Sequence, residues 1–281
     1  MVDALSACVR AVLVCSLLQA AGAALYIALF GRALARSIVP VRRLGAVSAG
    51  IAAVSLVAFY LLEAARMAGD VSGMLDPELR ALALASNLLP ATARGVGLIA
   101  LLASFASSRF QSLGTVGAVF VAASFATTGH SVELVPRLPA AILVFLHVLL
   151  GSAWFGALLP LMFAVKHESI SVAGDVVRRF STVAIWSVPP IAIAGLTLAA
   201  WLGVRPAHLG EPYSQLVVLK FAAFAVLMLL AAANKTRLGP RLVAGGAEAA
   251  RTFRGSVAIE YVVLVGVLAA TATLTTFFAP A

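Results

Sequence analysis

Apolar residues gather along this chain into eight long runs, at 5–29, 44–63, 88–105, 113–128, 140–165, 180–202, 213–233 and 257–278, separated by short polar stretches. A helix needs about 20 apolar residues to cross the hydrocarbon core of a bilayer, and most of these runs reach that length; the third and fourth are short by strict count. The connecting stretches hold no large polar insertion. The expected fold is therefore all-α: one integral-membrane domain over residues 1–281, a bundle of eight transmembrane helices whose backbone polar groups are satisfied inside the helices. Composition strengthens this, since 62% of the residues are hydrophobic and 11% are charged, values that fit a water-soluble domain poorly.

The formal net charge of +9 does not point to nucleic acid, because no stretch interleaves the basic residues with aromatic stacking platforms. They cluster instead in alternate loops. Arg32, Arg36, Arg42 and Arg43 follow the first run, Arg109 follows the third, Lys166, Arg178 and Arg179 follow the fifth, and Lys235, Arg237, Arg241, Arg251 and Arg254 follow the seventh. The other three connections, 66–87, 129–139 and 203–212, are nearly balanced or acidic. Positive charge stays on the cytoplasmic side, so the expected topology puts both termini outside, in the periplasm of a Gram-negative cell. The first run resembles a signal peptide in its small residues around 20–24, but it continues to Leu29 and ends at a strongly basic loop, which favours a retained anchor.

With that topology, the ionisable residues inside the runs fall mostly in the outer half. Glu63 ends the second run, Arg94 lies in the outer part of the third, His130 near the outer end of the fourth, His147 in the outer half of the fifth and Lys220 in that of the seventh. An ionisable group in a membrane is a functional candidate by default, because its desolvation is costly. If the fourth helix continues to Val135, His130 and His147 lie about 8 and 10 Å from their helix ends and share a level, where two neutral imidazoles suit a transition metal. The competing reading is that each histidine hydrogen-bonds across a helix contact.

Glu63 and Arg94 are also candidates for simple mutual neutralisation, and Lys220 for snorkelling outward. Met67 and Met74, near the outer surface, offer thioethers to a soft metal or ordinary interfacial packing. Cys8 and Cys15, seven residues apart, make no CxxC motif and read as small buried hydrophobes. Pro189 and Pro190 predict a kink or local unwinding in the sixth helix. Trp154 reads as core or as a wall beneath His147, and Glu260, near the inner end of the last helix, as an inner contact or a local partner of a loop arginine.

Several of these residues also stand in a recognisable order. The stretch from Leu146 to Leu161, with His147, Trp154-Phe155-Gly156 and Pro160-Leu161, resembles the histidine, tryptophan-x-glycine and proline-leucine motif of the copper resistance D family of membrane proteins. Gly129-His130, Phe180-Ser181, Leu219-Lys220, Asn234, Arg237, Pro240-Arg241-Leu242 and Glu260 extend the resemblance, which is strongest over residues 129–278. The resemblance implies a non-enzymatic bacterial inner-membrane protein of copper homeostasis that imports copper ions or takes them from a periplasmic copper-binding protein. On it, His130 and His147 contact copper, Trp154 shapes the site, and Lys220 and Glu260 support the site or its path. Two other functions compete with transport: a haem-binding electron-transfer or cofactor-assembly protein, and a copper sensor or docking protein that moves no ion.

Overall fold

The computed structural model describes residues 1–129, 132–204 and 210–277, and these form an all-helical bundle. Ten α-helices follow in order: α1 (Val2–Phe30), α2 (Ile38–Ala68), α3 (Pro77–Ser86), α4 (Leu88–Ala106), α5 (Leu113–Phe125), α6 (Arg137–His167), α7 (Ile170–Trp201), α8 (Pro212–Ala233), α9 (Gly239–Ala244) and α10 (Ala247–Phe277). Seven helical segments among the described residues are long and apolar enough to cross a membrane. The fourth apolar run gives only the 13-residue α5, about 20 Å long. Most helices continue beyond their apolar runs, so Arg42, Arg43, Arg178, Arg179, Arg251 and Arg254 are helical rather than loop residues. The end of the bundle that carries them is called the basic end below.

Two thirds of the most apolar stretch of α1 is buried within the protein, against 11% for those of α7 and of the segment that begins with α8. Alanine-rich packing makes α1 the hub: Ala20, Ala21 and Ala23 are fully enclosed, and α2, α5, α6 and α10 all lie against it. Lipid tails are as apolar as leucine, so close van der Waals fit rather than water exclusion holds membrane helices together. Two crossings show this. A Cβ added to Gly22 would stand 2.0 Å from the Ser152 carbonyl oxygen and 2.6 Å from Gly156 Cα, so α1 and α6 touch backbone to backbone. One placed on Gly117 of α5 would stand 2.7 Å from the Gly97 carbonyl oxygen of α4. On the outside of the bundle, Val54, Ile99, Trp186 and Leu229 are 70% exposed or more, the pattern of a lipid-facing surface.

Three local features depart from the sequence expectation. First, α7 runs without interruption through Pro189 and Pro190, so of the two expectations, a kink or local unwinding, the unwinding does not occur; helices in a bundle tolerate proline where neighbouring groups satisfy the freed carbonyls. Second, α5 stops at Phe125, and Gly129, with φ of +78°, turns the chain, so no helix continues to Val135. Third, α3 is an additional helix between the second and third runs. Its start is legible afterwards: Asp76 accepts from the amides of Glu78 (2.8 Å) and Leu79 (3.2 Å), and Pro77 occupies the first turn, where no amide partner is needed.

At the basic end, Glu168 in the short α6–α7 connection caps a different helix. Its Oε1 accepts from the Arg36 amide (2.8 Å), the Ser37 amide (2.7 Å) and the Ser37 hydroxyl (2.7 Å), at the start of α2. Burial works against ionisation of this carboxyl, but the bonds from Ser37 and from the Arg36 amide outweigh it and hold its pKa below the ordinary value.

Candidate metal centre

The chemistry of the end opposite the basic one centres on His147. It stands ten residues, about 15 Å, into α6, and Gly195 of α7 makes room for its ring: a Cβ there would come within 3.3 Å of Cε1. Its Nδ1 lies 3.0 Å from the Ile191 carbonyl oxygen of α7. A carbonyl oxygen only accepts, so Nδ1 carries the proton, and in the neutral ring the lone pair is on Nε2. A metal-binding imidazole has the same arrangement, one nitrogen fixed by a backbone carbonyl and the other basic. The Lys220 ammonium of α8 is the charged neighbour of this ring. It is half-buried rather than extended to the surface.

One helical face continues the site inward. Trp154 lies seven residues beyond His147 on the same side of α6, about 10 Å deeper, and is buried. Its indole meets Phe224 of α8 edge to face, with centroids 6.3 Å apart, and Phe224 lies one turn beyond Lys220. Trp154 is thus part of the hydrophobic core, one of the two roles its position suggests.

His130 lies outside the described residues. The helix through Val135 on which a shared level of the two histidines depends does not form, because α5 ends at Phe125. Among the described residues, no three His, Cys, Asp or Glu side chains gather as a ready-made metal site.

The structure pairs Glu63 differently from the sequence expectation. Its Oε1 accepts from Arg10 of α1 and from Arg66 one turn along α2, both at 3.3 Å. Arg66 also meets Asp3 at 2.9 Å, and Arg10 and Arg66 donate to the Thr275 and Thr276 carbonyls at the end of α10. Arg94 has no bond to Glu63. It is buried, reaches the Ser124 hydroxyl at 3.4 Å, lies over the rings of Phe59 and Phe125 at 5.8 and 5.5 Å, and has the Tyr60 phenol as an electrostatic neighbour. Arg10 takes the acid instead, and it also lies over Phe59, at 5.1 Å, one turn before Glu63. Three helices are thereby tied together by charge.

Glu260 is buried 13 residues into α10, farther from the helix start than the apolar run alone suggested. It accepts a hydrogen bond from the Asn234 side-chain amide and forms no salt bridge among the described residues, so a loop arginine is not its partner. Met67 is exposed and Met74 half-buried. Cys8 is exposed rather than packed in the core, and Cys15 is partly buried. Sequence reasoning missed Arg10 and Asn234 as partners. A basic residue eight positions into an apolar helix was the available signal for the first, and the Gly239-Pro240 pair that follows the second was the signal for its placement.

Several long apolar helices with polar groups confined to a few levels define a multi-pass membrane protein. The chain belongs to the copper resistance protein D family: residues 174–274 match the model of Copper resistance protein D, and residues 1–134 match that of the Copper resistance protein D-like N-terminal domain. The first half, which the sequence motifs placed only by helix number, is thus also family-like, and the two matches leave residues 135–173, with His147 and Trp154, between them. No curated protein and no solved structure matches the chain.

Proposed function

We propose that the protein moves copper ions across the bacterial inner membrane, receiving them from a periplasmic copper-binding protein, without an enzymatic step. In this reading α5 is the eighth crossing, the basic end faces the cytoplasm, and both termini are periplasmic. His130 and His147 are the donors offered to an incoming ion. Trp154 forms the floor of the site, and Lys220 moderates its affinity by adding positive charge.

The observation that carries the reading is the bond from His147 Nδ1 to the Ile191 carbonyl, which leaves Nε2 as a donor, away from the basic end of a copper-resistance-family bundle. Histidine nitrogen binds copper in either oxidation state, so the site chemistry does not require one valence. Copper uptake by sealed vesicles containing purified protein tests it. Wild-type vesicles accumulate copper, and the His130→Ala/His147→Ala double variant does not. Unchanged flux in that variant removes the histidines from the path.

A further inference from the structure

Below α8 the chain forms a π-helical turn, Asn234–Leu238, before α9. Its cause is local. Pro240 has no amide hydrogen, and the Gly239 amide passes over the Lys235 carbonyl to bond that of Asn234, five residues back. Gly239 lies tight against this bond, since a Cβ there would stand 3.0 Å from the Asn234 oxygen. Asn234 is buried there while Lys235, Thr236 and Arg237 beside it are exposed.

The turned-in side chain meets Glu260. Asn234 Nδ2 donates to Glu260 Oε1, and Asn234 Oδ1 is buried with no donor. An amide and a carboxylic acid complement each other in one arrangement: the amide N–H donates to the acid carbonyl, and the acid O–H donates to the amide oxygen. A carboxylate fulfils only the first half. Among the described residues, no cation pairs with this carboxyl. Lys220 on α8, Lys235 and Arg237 on the π turn, Arg241 on α9, and Arg251 and Arg254 on α10 make no ion pair with Glu260. Cys15 on α1 and Tyr261 make no hydrogen bond with it, α6 carries no ionisable group between Val148 and Val165, and the polar group acting on the carboxyl is Asn234.

We propose that Glu260 and Asn234 form a proton-binding site, in which the neutral acid donates to Asn234 Oδ1 and so latches α8 onto α10. Loss of the proton to water at the basic end removes one of the two bonds. The latch reaches the candidate metal centre along α8, because Lys220, Phe224, Leu227 and Asn234 recur on one helical face. That last step, which makes copper movement proton-coupled, rests on the proposed function; the proton site itself does not.

Infrared spectroscopy of the purified full-length protein at neutral pH tests the site. A protonated-carboxyl stretching band is expected that shifts in D2O, disappears in Glu260→Gln and persists in Glu63→Gln. Glu260→Gln folds normally, because the glutamine amide supplies the same donor and acceptor. A spectrum without such a band, or a band unaffected by Glu260→Gln, overturns the site. Copper uptake under an imposed pH gradient tests the coupling: wild-type flux follows the gradient, and Glu260→Gln flux is the same with or without it. Gradient-dependent flux in Glu260→Gln overturns the coupling, whereas a Glu260 band without any wild-type flux upholds the site and refutes copper transport.

Discussion

Arg10, Glu63 and Arg66 on α1 and α2 answer one another, whereas His147 on α6 and Glu260 on α10 meet neutral partners. Arg10, Arg66 and Glu63 share one carboxylate oxygen, and both arginines also hold the end of α10. His147 has a backbone carbonyl and Glu260 an amide. The helices differ in the same way: most of the apolar stretch of α1 is buried, and little of those of α7 and of the segment that begins with α8 is. Charges already paired are expensive to rearrange, because removing one partner strands the other in a poorly solvated place. Groups with a single neutral partner retain spare bonding capacity, which a metal ion or proton can use. The first region thus acts as a fixed frame, and the second contains the groups able to change state.

Substitutions that separate these roles test the comparison. The largest effect is expected at the α1–α6 crossing, where a side chain at position 22 meets backbone rather than a movable side-chain tip. Gly22→Ala should cost about 1–3 kcal/mol by overpacking, and Gly22→Leu should abolish folded protein, as read from thermal unfolding and size-exclusion profiles in detergent. Glu63→Gln leaves the partly buried Arg10 without its acid and Arg66 with Asp3 alone. A loss of about 2 kcal/mol is expected, between the ~0–1 of an exposed pair and the ~3–5 of a buried one, measured by the same unfolding assay.

The smaller effects lie at the basic end and at the candidate site. Glu168→Ala removes an acceptor of three hydrogen bonds at the start of α2 and should cost about 1 kcal/mol, as for other lost caps. Because the folded-state pKa of Glu168 is lowered, its contribution is complete above the ordinary carboxylate value and is lost as pH falls through the lower, folded value. Unfolding curves of wild type and Glu168→Ala should therefore converge on acidification; a gap that widens instead contradicts the cap. His147→Ala should change stability by no more than about 1 kcal/mol, the worth of one hydrogen bond, while reducing copper binding in equilibrium dialysis. A large stability loss there would make His147 part of the frame and erase the distinction between the regions.

The apolar runs and the alternating basic loops were enough to identify a helical membrane bundle, because spanning length and positive charge are local quantities counted along the chain. Motif order likewise identified the copper resistance D family, since Trp154, Lys220, Asn234 and Glu260 carry it without reference to any contact. What faces what was decided only in three dimensions. Glu63 and Arg94 lie at similar depth, yet Arg10 takes the acid and aromatic rings take Arg94, a choice that depends on helix rotation and crossing rather than position in a run. The same holds for Asn234, turned inward by a π turn that the apolar pattern does not encode, and for His147, whose proton is placed by a carbonyl 44 residues away. Hydropathy measures how deep a residue lies; the packing of small residues such as Gly22 against Gly156 sets how the helices turn toward one another, and that turn selects each polar partner.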